Sequence, residues 1–345
     1  MERRTLGKTG ISVSELSLGA MMFGRMGNPD HEDSIRVIHR ALDAGINVID
    51  TADVYSLGES EEIVGKAARG RRDDLVIATK FGLPMGEDPN RRGGSRRWIV
   101  RAVEDSLRRL GTDHIDLYQM HRPDHGTDVS ETLAALTDLV RAGKIRAFGS
   151  SMFPAELISE AQWAAERQGS YRFLTEQSMY SLFTRGPERA VFPTAQRHGL
   201  GMLTFSPLNG GWLSGRADLA SSHRASSRPA HYDTTTPTGR LKATALTGLT
   251  ALAGEMGITL PHLAIAFARA HPAVTSVLIG PRTAEQLDGV LPGADIDLPD
   301  DVLDRIDAII TPGTDLSPAD NYATTPPALE NPRLRRRSAG TVSGI

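Results

Sequence analysis

The chain has 345 residues, 39% of them hydrophobic, enough to bury a large core in one or two domains. A formal net charge of -3 asks for neither nucleic acid nor an anionic membrane surface, and the absence of cysteine excludes disulfides and thiolate chemistry. There is no apolar run of about 18 residues to span a membrane, and MERRTLGKTG lacks the apolar stretch of a secretory signal, so a soluble cytoplasmic protein is expected.

Short apolar runs alternate with helical patterns along most of the chain. Leu16 to Gly19 is a first strand candidate, followed by a helix from His31 to Ala44 with Ile35, Ile38 and Leu42 on one face, stopped by Gly45. Ile46 to Asp50 reads as a β-branched strand, Glu59 to Arg69 as a short helix and Leu75 to Lys80 as the next strand. A helix over Ser95 to Leu110 leads to the strand Ile115 to Met120, and a helix from Asp128 to Gly143 leads to Lys144 to Phe148. The rhythm continues with helices at Ala155–Arg167 and Pro187–His198 and strands at Phe173–Gln177 and Gly201–Phe205. Helices near Leu241–Met256 and Pro261–Ala270 precede the strand Val274 to Ile279, and a last helix begins near Ala284.

About eight strand–helix units at crossover spacing predict an α/β fold, and that many favour a closed (β/α)8 barrel, a TIM barrel, over an open sheet. The expected organisation is one barrel domain over 1–312 and a loop-rich C-terminal extension over 313–345. Arg216 to Gly239 is rich in Ser, Thr, Pro and Arg and reads as a long surface loop.

Several common motifs fail. Gly7-Lys8-Thr9 ends like a phosphate loop, but Glu2 stands where its first glycine belongs and no strand precedes it. No Gly-x-Gly-x-x-Gly opens a strand-to-helix turn, and no tyrosine has a lysine four residues later. His31-Glu32 lacks a second histidine four residues on, and the ten histidines are scattered, so no metal site is expected.

In a parallel barrel, the C-terminal strand ends share one mouth. Asp50, Lys80 and His121 end or immediately follow the second, third and fourth strand candidates, and Tyr55 lies in the loop after Asp50. Each residue alone has an ordinary structural explanation; four ionisable groups converging on one rim do not. The string Asn47-Val48-Ile49-Asp50-Thr51-Ala52-Asp53-Val54-Tyr55 with Gly58-Glu59-Ser60-Glu61 resembles the signature of the aldo-keto reductase superfamily. Ile77 to Lys80 and Asp116 to His121 resemble its lysine and histidine strands, and the similarity runs from residue 3 to about 310. The resemblance, which extends to the potassium-channel β-subunit-like branch, implies a catalytic tetrad of Asp50, Tyr55, Lys80 and His121. It also implies an NADPH-dependent oxidoreductase, of the alcohol-dehydrogenase type, that reduces a small aldehyde or ketone. The chemistry is coherent: hydride attack builds charge on the carbonyl oxygen, a phenol can donate the proton, and an adjacent ammonium favours the phenolate left behind.

The resemblance also implies where NADPH (NADP+) would lie. Gly19, Ala20 and Met21 match the first-strand end near the ribose and nicotinamide, with Asp50 below; Ser150, Ser151 and Gln177 match the carboxamide site; Phe205 matches the aromatic stacked on the nicotinamide. Met152 stands where the family often has Asn. Ser206, Pro207, Leu208, Gly210, Gly211, Gly215 and Arg216 match the pyrophosphate loop, whose glycines let backbone N–H groups approach phosphate. Gly280, Arg282 and Gln286 match the 2′-phosphate site, and Gly289-Val290 replaces a common Glu-Asn. Trp212, Met22, Phe23 and Met85, with the loop Arg216–Gly239, are the expected substrate walls. Arg91, Arg92, Arg96 and Arg97 read as a solvated stretch, with an anionic substrate group as the alternative. Three other readings stay open: a redox-sensing regulatory subunit on the same fold, a keto- or enoyl-sugar reductase, and an unrelated barrel hydrolase using Asp50 and Asp53. No nucleic-acid or membrane partner is expected, and a homo-oligomer stays open.

Overall fold

The computed structural model describes residues 1–216, 229–321 and 327–336. An antiparallel hairpin, β1 (Arg3–Thr5) with β2 (Ser12–Ser14), precedes the first barrel strand, β3 (Leu16–Gly19). The barrel continues through β4 (Val48–Asp50), β5 (Val76–Phe81), β6 (Ile115–Met120), β7 (Ile145–Ser151), β8 (Thr175–Met179), β9 (Gly201–Phe205) and β10 (Val274–Ile279). All eight neighbouring pairs are parallel, and β10 returns to β3, so the predicted (β/α)8 closure is observed.

The crossovers are α1 (His31–Asp43), α2 (Glu59–Ala67), α3 (Arg96–Leu110), α4 (Val129–Arg141), α5 (Ala155–Gln168) and α6 (Val191–His198). Between β9 and β10 lie the single turn α7 (Pro229–Tyr232), then α8 (Pro237–Glu255) and α9 (Leu260–Ala270); α10 (Ala284–Asp288) and α11 (Asp300–Ile309) follow β10. The starts follow capping chemistry. Asp30, Ser95, Asp128 and Thr259 each accept a backbone N–H of the following turn. Gly45 follows α1 at φ +94, a conformation that costs a non-glycine residue its Cβ clearance.

Two apolar layers hold the barrel. Inside it, Val48, Val76, Ala78, Leu117, Ala147, Leu203 and Leu278 interdigitate, and Leu6 and Val13 of the hairpin region close the N-terminal end. A Cβ on Gly7 would come within 2.9 Å of Leu174 O and Leu200 C, so only glycine lets the hairpin seat so deeply. Outside, alternate strand residues such as Leu18, Ile49 and Ile77 meet Ile38, Ile63 and Ile99 of the helices. The hairpin was not anticipated, because strands of three residues carry too little alternation to register in sequence.

Two expectations change. Arg216–Gly239 is not one loop: 217–228 lie outside the described residues, 229–232 form a turn of helix, and Pro237 already begins α8. The extension after residue 312 starts as an integral part of the barrel rim. Arg185 N–H donates to Thr314 O, Leu316 N–H to Phe183 O and Gly186 N–H to Asp315 Oδ1. Among the described residues, no single helix is long and apolar enough to cross a membrane.

Candidate active site

A cavity of about 810 Å³ opens at the C-terminal end of the strands. Asp50, Tyr55 and His121 line one end of it, and Gly280, Arg282 and Gln286 line the other. Lys80 lies at the base, buried to 1% exposure. Its Nζ sits 2.5 Å from Asp50 Oδ1, donates to Thr51 O at 2.9 Å and reaches Tyr55 OH at 3.4 Å. The Tyr55 and His121 rings meet edge to face, with centroids 5.7 Å apart. The four residues come from β4, the loop after it, β5 and the residue following β6, which the parallel register brings to one level of the barrel.

Burial alone would push the Lys80 ammonium below the usual lysine value. The Asp50 carboxylate and the Tyr55 oxygen beside it reverse the sign, and the lysine is held above that value. His121 goes the other way. Burial, with the Lys80 and Arg122 cations nearby, keeps its pKa well below the ordinary histidine range, so the ring is neutral at pH 7. Its Nδ1 is buried without a hydrogen-bond partner among the described residues.

The remaining Asp50 oxygen accepts two amides, from Gln177 Nε2 at 2.8 Å and Gln119 Nε2 at 3.1 Å. Gln119 was missed in the sequence. The available signal was its spacing: two residues before His121 on β6, it shares the inward face by the period of the strand.

The same period sorts the expected cofactor residues. Gly19, Met21, Ser151, Gln177 and Phe205 line the cavity, as do Ser206, Pro207, Leu208, Gly210, Gly211, Arg216, Gly280, Arg282 and Gln286. Ser150 does not. It is one residue out of phase with Ser151, and its hydroxyl donates outward to Glu176 Oε2 at 2.5 Å. Glu176 is fully buried; burial pushes its carboxyl up to about 8 despite donors from Ser150, Phe153 N–H and Ser178. Ala20 is also off the wall: its amide donates to Asp50 O, its carbonyl accepts Ser60 Oγ, and it is 0% exposed. Gly215, at φ +72, turns the chain between two lining residues, Ser214 and Arg216, without lining the cavity itself. Met152, standing where the family often has Asn, takes φ +60 and lies buried off the wall.

Of the expected substrate walls among the described residues, Met22 and Arg216 line the cavity. Phe23, Met85 and Trp212 are buried behind it, while Met21, Met26, Val54, Leu83 and Arg122 surround the Tyr55 end. The arginine stretch after β5 also stays off the wall. Arg96 pairs with Glu131 and Asp138, and Arg91 lies over the Trp98 ring. Asp53, the second carboxylate of the hydrolase reading, is 1% exposed and absent from the cavity wall. Burial and the neighbouring Glu61 raise its pKa well above the usual carboxylate range. Asp50 and Asp53 therefore do not face one substrate together. Among the described residues, no group of three or more His, Asp or Glu could hold a metal ion.

The residues fit a nicotinamide adenine dinucleotide cofactor. Phe205 offers a half-buried ring on a wall shared with the Ser151 and Gln177 side chains. A Cβ on Gly280 would meet nothing within 4 Å, and Gly210 and Gly211 take φ +68 and +109, leaving backbone open to the cavity. Arg216 and Arg282 supply cations along the phosphate end.

Comparison with known proteins agrees with this geometry. Residues 15–311 match the model of the Aldo/keto reductase family. The chain is 39% identical to the uncharacterized oxidoreductase YrpG of Bacillus subtilis (strain 168), over 94% of this chain and 100% of that protein. It is 35% identical to a probable voltage-gated potassium channel subunit beta of Oryza sativa subsp. japonica, over 90% and 97% of the two chains. It is also 35% identical to the aldo-keto reductase YhdN of B. subtilis, over 84% and 88%. A closed eight-stranded barrel, an Asp–Lys–Tyr–His cluster at its mouth and a match across nearly the whole chain together make this protein a member of the aldo/keto reductase family of oxidoreductases.

Proposed function

We propose that the protein reduces an aldehyde or ketone to the alcohol with NADPH, Tyr55 giving the proton. The observation that carries the reading is the buried chain Asp50–Lys80–Tyr55, which ends on a phenol facing the cavity. The bound dihydronicotinamide supplies the hydride. Tyr55 OH donates its proton to the developing alkoxide, and the Lys80 ammonium at 3.4 Å stabilises the phenolate that remains. Asp50 keeps Lys80 charged and fixes its position. Neutral His121 offers a ring N–H to the carbonyl oxygen and holds it near Tyr55. Ser151 and Gln177 hold the carboxamide; Gln177 would exchange its bond to Asp50 for that contact.

Met21, Met22, Met26, Val54 and Leu83 make the substrate end apolar and adaptable, which favours hydrophobic carbonyl compounds over sugars. The Arg282 guanidinium favours the 2′-phosphate of NADPH over the hydroxyl of NADH. The test is NADPH oxidation across a panel of aliphatic, aromatic and sugar aldehydes. Turnover with the apolar members supports the reading; tight NADPH binding with no turnover on any of them defeats it. The likeness to a probable channel β subunit favours a second reading for that outcome, a redox-sensing role for the same site.

A further inference from the structure

Five residues on β9's exit loop, Ser206, Pro207, Leu208, Gly210 and Gly211, line the cavity, and all but Pro207 carry a backbone N–H. The other side is gripped by α7. Tyr232 OH donates to Gly210 O at 2.6 Å, and His231 Nε2 lies 3.2 Å from Asn209 O. The grip is close: a Cβ on Gly210 would come within 3.1 Å of His231 Nε2 and 3.3 Å of Tyr232 OH. Tyr232 also stacks on Trp212, with rings 10° apart in plane, and the Trp212 indole donates to His231 O at 3.0 Å.

A helix of four residues has no internal reason to persist in isolation. Here it is held from behind by the C-terminal extension. Asp320, 4% exposed, places Oδ1 2.8 Å from His231 Nδ1 and Oδ2 2.5 Å from Lys242 Nζ of α8. Lys242, 2% exposed, packs its ammonium 5.2 Å above the Trp212 ring and donates to His231 O at 3.4 Å. Burial lowers the Lys242 pKa; for Asp320, burial is outweighed by His231 and Lys242, which hold its carboxyl below the usual range. Two buried charges with so few alternatives are costly unless both partners stay in place, which makes the arrangement rigid.

We propose that Asp320, acting through His231, Tyr232 and Lys242, positions the 206–211 backbone for the pyrophosphate of the cofactor, so that the C-terminal extension is part of cofactor binding. These are positioning residues: none of the four lines the cavity, and none touches the tetrad. The inference rests on the NADPH reading above. It predicts that loosening the clasp weakens the contact to pyrophosphate while leaving the adenosine end and the proton-donating end intact.

The experiment compares full-length wild type, Tyr232→Phe and Asp320→Asn by titration with NADPH and with adenosine 2′-phosphate, which carries no pyrophosphate. Tyr232→Phe removes the bond to Gly210 O and keeps the stacking on Trp212, so it stays informative should Asp320→Asn fold poorly. The expected result is a 5- to 50-fold rise in the NADPH Kd in both variants. The Kd for adenosine 2′-phosphate and the kcat at saturating NADPH should stay within twofold of wild type. NADPH affinity within twofold of wild type in Tyr232→Phe overturns the proposal, as does an equal loss for both ligands, which marks general loosening. Wild type that binds no NADPH fails earlier, at the functional reading itself.

Discussion

Replacing Lys80 with Met removes one charge from the base of the site while keeping its apolar stem. Lys80 is 1% exposed and its Nζ is 2.5 Å from Asp50 and 3.4 Å from Tyr55. An ammonium at that distance from a phenolate is worth about 5 kcal/mol at an effective dielectric near 20. Losing it at the transition state slows the chemical step on the order of 10³–10⁴-fold. The stability cost is separate. Asp50, 3% exposed, keeps the two amide donors Gln119 and Gln177 but loses its counter-charge, which costs about 3–5 kcal/mol. The double variant Lys80→Met/Asp50→Asn removes both charges and should recover most of that stability without recovering activity. Single-turnover NADPH oxidation and denaturant unfolding measure the two effects independently. A Lys80→Met enzyme within tenfold of wild type, or a double variant with restored turnover, would refute the reasoning.

Glu176, pushed up to about 8 from 4.5, contributes stability that is present below pH 4.5 and lost as pH rises through 8; Glu176→Gln should remove that dependence. The wild-type-minus-variant difference in unfolding free energy should fall by a few kcal/mol between pH 4.5 and 8.5, and a flat difference contradicts the burial argument. His121 has the opposite sign: its depressed pKa means stability is lost as pH falls below about 6.5, the unfolded value. Ring nitrogen shifts should show a neutral His121 at pH 6, against a ring about three-quarters protonated if its environment were ordinary. Arg282→Ala should raise the Km for NADPH about 10- to 100-fold, as expected for a hydrogen bond to a charged group, and leave the Km for NADH nearly unchanged. Equal effects would remove Arg282 from the 2′-phosphate.

The barrel was legible because its signals are repetitive. Apolar runs such as Val274 to Ile279 are buried along their whole length, and the starts of α1, α3, α4, α8 and α9 carry a capping side chain, so period and punctuation agree there. The tetrad was legible because strand ends have fixed destinations in a parallel barrel. What failed was phase and depth. Ser150 and Ser151 are equally polar neighbours, and only the barrel's register tells which one faces the mouth. Phe23, Met85 and Trp212 are apolar residues in rim loops, and composition does not distinguish a wall from the layer packed behind it. The clasp at Asp320 was invisible for a different reason. It joins residues 89 apart in the chain, His231 and Asp320, whose local sequence reads as loop and tail.

The account stands or falls on a proton leaving one phenol. Tyr55→Phe keeps the ring against His121 and removes only the oxygen that Lys80 reaches. Measured by stopped flow with a reactive aldehyde, it should bind NADPH within about twofold of wild type and reduce the aldehyde on the order of 10²–10⁴-fold more slowly. Hydride transfer at the wild-type rate in that variant would contradict the assignment of Tyr55 as the acid.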